Sequence, residues 1–269
     1  VPYPVGRARA FLRELSAAYP ADAQLHTAGT PLSDNPDQPM HVTFGNPDAA
    51  RRLVLAAGVH AGEHTAGYIL EGFVQTLLAD HPEAREFRAS TRVLAFPLVA
   101  QEARELGYFR GSGQFPGQDS NRMWFRESPW DRVRRITRVM DGFMQGGPGP
   151  GSTAHASGRE RWVIDFHNFG SIDELYFYTH ADAAPRPFLR AIREQLGEGS
   201  DDSQTQELAP MRKYGARARH MFTTFAARDP QIAANYSLVI ETPFPPGWTQ
   251  DDYRQLGARY AEILMEQLK

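Results

Sequence analysis

Residues 51–78 read RRLVLAAGVHAGEHTAGYILEGFVQTLL, and this stretch constrains the fold more than any other part of the chain. LVLAA is a short apolar run closed by Gly58, the pattern of a strand buried on both faces. Beyond the corner, Ile69, Leu70, Phe73, Val74, Leu77 and Leu78 keep helical spacing, with Pro82 just past the expected end. A buried strand running straight into an amphipathic helix is the repeating unit of a sheet covered by helices.

The rest of the chain continues this alternation. GRARAFLRELSAA (6–18) predicts a helix with Phe11, Leu12 and Leu15 on one stripe, and QLHTAG (24–29) and MHVTFG (40–45) predict short strands. TRVLAFPL (91–98) is a second buried strand, and residues 129–144 predict a helix opening on Pro129. Strands follow at RWVIDFHN (161–168), ELYFYTH (174–180) and YSLVIET (236–242), with helices near 185–197 and from about 250. The Gly/Pro-rich GGPGPGSTAHASG (146–158) reads as a surface loop, not a linker, because strands resume directly after it. We therefore expect one domain over residues 1–269, a three-layer α/β/α fold with a mixed, largely parallel central sheet. Ligands in such folds collect at the carboxyl ends of strands, where both 58–64 and 165–168 fall.

Composition removes several function classes. A net charge of -3 gives no basic surplus for a nucleic-acid partner. The chain has no cysteine, which excludes disulfides, thiolate metal ligands and a cysteine nucleophile. No apolar run approaches the ~20 residues of a membrane span. The start is not itself a signal peptide, which slightly favours a soluble, cytoplasmic setting, but the chain begins at Val1 without an initiator Met, so a removed leader stays open and the compartment is left unassigned. Oligomeric state is left open.

The corner His60-Ala61-Gly62-Glu63-His64 supports two incompatible zinc sites. In the first, an H-x-x-E-H pattern, His60 and His64 hold the metal from one helix face and Glu63 is the base. That geometry needs residues 60–64 to be helical, which Gly58, Gly62 and the strand ending just before them resist. In the second, His60 and Glu63 are ligands at a strand-to-helix corner, and a histidine from another strand completes a site with an open position for water. His167 fits, because Asp165 lies two residues earlier on the same strand face and can fix its tautomer. His64 is then structural, at the helix start.

Two further stretches carry chemistry. GQDSNRMWF (117–125) places Asp119, Asn121 and Arg122 after a Gly/Pro-rich turn, and an Asn-Arg pair can clamp a carboxylate. Arg110, earlier in the same connection, is a candidate oxyanion cation. Glu241 closes the apolar strand SLVIE, where burial would raise its pKa toward general-base duty.

These elements, in this order, resemble the zinc carboxypeptidases of the carboxypeptidase A type. HAGE (60–63) is similar to that family's ligand pair, DSNR (119–122) to its carboxylate clamp, DFH (165–167) to its third ligand and YSLVIE (236–241) to its catalytic strand. The resemblance implies a sheet of about eight strands and one zinc per chain, held by His60, Glu63 and His167. It implies Asn121 and Arg122 on a terminal carboxylate, Arg110 on the oxyanion side and Glu241 as base and then acid. Tyr214 is the candidate for the family's substrate-closing tyrosine. The implied function is a metallopeptidase hydrolysing an amide bond next to a free carboxylate. PLVAQEARELG (97–107) departs from the family's Asn-Pro-Asp-Gly, which keeps open a deacylase of N-acyl amino acids, as in the similar aspartoacylase and desuccinylase branch. A catalytically silent binding module is the third reading.

Overall fold

The computed structural model describes residues 2–27, 39–111, 115, 117–145, 160–168, 176–179, 185–196, 221–242 and 245–269. In chain order its elements are α1 (Val5–Ala18), β1 (Gln24–Thr27), β2 (Met40–Gly45), β3 (Arg51–Ala57), α2 (Thr65–Leu78), α3 (Pro82–Ser90), β4 (Thr91–Phe96) and α4 (Gln101–Glu105). After a 3-10 turn at Ser120–Arg122 come α5 (Asp131–Gln145), β5 (Arg161–Asn168), β6 (Tyr176–Thr179), α6 (Arg186–Leu196), α7 (Phe222–Arg228), β7 (Tyr236–Thr242) and α8 (Gln250–Gln267).

Among the described residues one seven-stranded sheet runs in the order β1-β2-β4-β3-β5-β7-β6, against the eight or so strands expected. The four central strands β4, β3, β5 and β7 are parallel, and the outer pairings β1–β2, β2–β4 and β6–β7 are antiparallel. The mixed α/β class holds. Two apolar layers lie on opposite faces of this sheet. One gathers side chains of α1, α2, α3, α6 and α8, and the other those of α4, α5 and α7. Most strand and helix expectations fall within a few residues of the observed bounds. Pro82 lies beyond the end of α2 at Leu78, as expected, and is also the first residue of α3, which His81 caps by accepting from the Ala84 N–H. The helix expected from Pro129 begins at Asp131.

Helix α2 is seated so that its N-terminus meets the carboxyl ends of β3 and β5. Its contact with α8 is backbone-close, made by two glycines: a Cβ at Gly72 would lie 1.9 Å from the Arg254 carbonyl, and one at Gly257 1.9 Å from that of Ile69. Glu71, fully buried on the same helix, accepts from Arg7 of α1 at 2.7 and 2.8 Å and from Arg254 of α8 at 2.8 Å, tying three helices together.

Candidate metal centre

Strand β3 stops at Ala57 because Gly58 takes a φ of +65°, a left-handed conformation that turns the chain out of the sheet. Residues 58–64 then form an irregular turn, closed by the Glu63 N–H donating to the His60 carbonyl at 3.2 Å, and α2 starts only at Thr65. The helical H-x-x-E-H geometry is therefore absent. His64 faces away from the other two side chains. Its Nδ1 accepts from the Tyr3 N–H at 3.0 Å and lies 3.0 Å from Arg104 NH1. Burial and the Arg104 charge hold its pKa down to about 4, so it is a neutral acceptor.

His60, Glu63 and His167 converge instead. One ligating atom from each lies within 4.8 Å of the other two, and all three side chains are buried. The carboxylate of Glu63 sits between the rings, with Oε1 2.6 Å from His60 Nδ1 and Oε2 2.6 Å from His167 Nδ1. The outer ring nitrogens are each turned to another carboxylate. His167 Nε2 is 2.7 Å from Asp165 Oδ2, and His60 Nε2 is 2.9 Å from Asp119 Oδ1. With Nε2–H donated outward, both imidazoles aim Nδ1 at one point, the tautomer a metal ligand needs. Despite its short approach to Glu63, His167 Nδ1 is a buried atom without a properly directed hydrogen bond. Two nitrogens and a carboxylate, buried and convergent with one inner atom unsatisfied, fit a catalytic zinc ion.

The electrostatics agree with a cluster built around a positive centre. Burial works against charge on both rings, yet the neighbouring carboxylates win: Asp119 and Glu63 raise the pKa of His60, and Asp165 and Glu63 raise that of His167 well above the ordinary value. Burial likewise opposes ionisation of Glu63, but His167 and His60 hold it below the usual carboxylate range. The same carboxylates that raise the ring pKa values would favour a cation at the point the two Nδ1 atoms face.

Strand register brings Glu241 to the same corner, and the connection after α4 brings Arg110 and Asp119. Glu241 of β7 is the direct neighbour of His167 across the parallel β5–β7 ladder. Its residue is partly exposed rather than sealed inside, but Oε2 is buried with no hydrogen-bond partner among the described residues. Desolvation, reinforced by Glu63 and Asp165, pushes its carboxyl up to about 7 against the opposing pull of His167 and His60. Arg110 is half-exposed at the rim, its NH1 3.2 Å from His60 Nε2 and 3.6 Å from Asp119 Oδ2, its NH2 3.8 Å from Glu63 Oε1. Asn121 is buried, and its Oδ1 accepts from the Phe222 N–H at the start of α7 at 2.9 Å. Arg122 is a quarter exposed beside it, with NH1 4.0 Å from Asp119. Tyr214 lies outside the described residues.

Asp119 has a role here that its sequence context does not assign. It caps the 3-10 turn, accepting from the Asn121 N–H at 2.8 Å, while touching His60. The missed signal was its place two residues before the Asn-Arg pair: a turn-capping carboxylate on the strand-end side of the molecule can also orient a ligand ring. Asn168 was missed as well; its N–H donates to Glu63 Oε2 at 3.2 Å and its Oδ1 accepts from the Ala66 N–H at 2.8 Å, binding the end of β5 to the start of α2.

The fold is that of metallo-carboxypeptidases of known structure. A metallo-carboxypeptidase from Burkholderia cenocepacia superposes with a TM-score of 0.72 at 17% identity, covering 99% of this chain and 70% of that one. A metallo-carboxypeptidase from Pseudomonas aeruginosa, solved in complex with (2-guanidinoethylmercapto)succinic acid, gives 0.70 at 18% identity over 99% and 69%. In sequence, residues 8–133 match the zinc carboxypeptidase family model, a range that holds His60, Glu63, Arg110, Asn121 and Arg122. Cytosolic carboxypeptidase 6 of Mus musculus is 31% identical over 81 residues, covering 30% of this chain and 15% of that protein. Cytosolic carboxypeptidase 2 of Danio rerio is 28% identical over 131 residues, covering 45% and 18%. The chain is thus similar to zinc carboxypeptidases by sequence across its first half and by fold across nearly its whole length, while matching under a fifth of these curated relatives. No described helix is long and apolar enough to cross a membrane.

Proposed function

We propose that residues 1–269 form one catalytic domain of the zinc carboxypeptidase family, hydrolysing the amide bond next to a free carboxylate in a peptide. The observation that carries this is the meeting of His60, Glu63 and His167 within 4.8 Å, at strand ends, with Glu241 paired in register to His167. These three side chains would hold one zinc ion, which when bound supplies Lewis acidity and an acidified water.

The chain's own residues do the rest. Asp119 and Asp165 keep the two rings in the tautomer that leaves Nδ1 free. Glu241 takes a proton from the attacking water and returns it to the leaving amine; a pKa near 7 suits a group that must do both. Arg110 places a permanent cation beside the reacting carbonyl, where negative charge develops on oxygen. Asn121 has its carbonyl oxygen committed to Phe222, so only its NH2 faces ligand, the right polarity for a carboxylate that Arg122 also grips. Tyr214 is the candidate closing residue, and a cytosolic setting accompanies the reading.

Glu241→Gln tests the assignment. It should retain zinc and abolish C-terminal residue release from a peptide panel, whereas wild-type-like rates would sink it. The same enzyme run on N-acyl amino acids separates peptide hydrolysis from deacylation.

A further inference from the structure

Arg104 takes no part in the chemistry above. It comes from α4, inside the PLVAQEARELG segment that sets this chain apart from the family pattern. Its guanidinium fork reaches three elements at once. NH1 donates to the Tyr3 carbonyl at 2.6 Å and lies 3.0 Å from His64 Nδ1, and NH2 donates to the Glu63 carbonyl at 3.2 Å. The Tyr3 N–H converges on the same His64 nitrogen at 3.0 Å, so that nitrogen can only accept. Space is tight around the group: a Cβ at Gly58 would stand 3.3 Å from NH2, and one at Gly67 2.5 Å from the Tyr3 ring.

A largely enclosed cation is costly unless its donors are used; of those that bond, NH2 is given to Glu63 and NH1 is shared between Tyr3 and His64, so the fork ties the N-terminal segment to the last two residues of the ligand-bearing turn. The early part of the 58–64 turn is held by other contacts: the Gly58 carbonyl accepts from the Ala100 N–H at 2.9 Å, that of Val59 from Ser120 Oγ at 2.7 Å, and the Gly62 N–H donates to the Phe109 carbonyl at 2.8 Å, whereas the Glu63 carbonyl is held by Arg104. The other ligands are carried differently: His167 stands on a strand and is held by Asp165. The Glu63 side chain must bring its two oxygens to 2.6 Å from two rings, which requires its backbone to be held independently. Arg104 grips that backbone at the carbonyl of Glu63 itself and, through His64, at the residue after it. The planar fork matters, since one nitrogen serves Tyr3 and His64 while the other serves Glu63.

We propose that Arg104 is a positioning residue for the metal centre, fixing the 63–64 end of the turn so that Glu63 is preset as a ligand, with His64 as its acceptor. This rests on the reading of His60, Glu63 and His167 as metal ligands. It also assigns the second histidine of HAGEH a task outside coordination.

The test compares wild type, Arg104→Met and Arg104→Lys for zinc affinity, by competition with a chromophoric chelator, and for the visible spectrum of the cobalt-substituted protein. Arg104→Met should weaken zinc binding about 10- to 100-fold, the usual effect of losing an outer partner of a metal ligand, and alter the cobalt bands. Arg104→Lys should fall between, because one ammonium can serve Tyr3 and His64 but not also the Glu63 carbonyl. Wild-type affinity and cobalt spectrum in both variants overturn the proposal, even if their melting temperatures drop, for Arg104 would then be only a structural pin. If Arg104→Met does not fold, Arg104→Lys decides alone, with wild-type affinity refuting. A wild-type protein that binds no zinc would overturn the metal centre and this role together, an outcome distinct from failure of Arg104 alone.

Discussion

Zinc uptake by this protein should release protons, in a number the geometry sets. Nδ1 of each imidazole lies 2.6 Å from a Glu63 oxygen, and the surrounding carboxylates raise both ring pKa values, which favours a proton on each ring. A metal ion must displace both, because Nδ1 is the only ring nitrogen of each that faces the centre. The sign is clear: groups protonated in the free state and deprotonated in the bound state make affinity rise with pH. With two protons displaced, affinity should climb about 100-fold per pH unit below the histidine pKa values, about 2.7 kcal/mol at 1.36 kcal/mol per proton and unit. Glu241, with its carboxyl near 7, adds part of a third proton, since a dication nearby favours the carboxylate. Isothermal titration calorimetry at pH 6 in buffers of different ionisation enthalpy counts these protons directly. Two or slightly more should appear in wild type, and Glu241→Gln should remove only the fraction above two. Release of less than one proton at pH 6 would refute the raised ring pKa values.

Other consequences follow from single residues. Arg110→Met should retain zinc and lower kcat by about 10²- to 10³-fold, the scale of one lost oxyanion donor, as read from initial rates on the same peptide panel. Gly72→Ala drives a methyl onto the Arg254 carbonyl; overpacking of this kind costs about 1–3 kcal/mol, and a Tm unchanged from wild type would contradict the close α2–α8 contact. Glu71→Ala leaves Arg7 and Arg254 facing a void where a buried carboxylate stood. Arg7 and Arg254 are each about a quarter exposed and keep Glu14 and Asp251, so a loss of about 1–3 kcal/mol is expected in urea unfolding, and an unchanged midpoint would show that the network adds little.

What could be read from the sequence was whatever repeats with a local period. The buried strands and amphipathic helices carry their own signature, because apolar side chains must recur every second or every third to fourth residue to reach one core. Short α3, α4 and α7 escaped because elements of one or two turns fit little more than one period; α3 also opens on Pro82, which resembles a helix stop as much as a start. At the corner, the glycines around His60 already argued against a helical zinc motif, and Asp165 beside His167 already suggested a ring with a fixed tautomer. Those are effects between neighbours in the chain. Tertiary structure decided the matters that depend on residues far apart in the chain: that Asp119 is the partner of His60, that Glu241 falls in register with His167, and that Arg104 and Tyr3 close on His64. Hydrogen bonds and charge shifts act over a few ångströms of space and leave no trace in sequence spacing, so the chain could name its candidate ligands, but only folding showed what holds each of them in place.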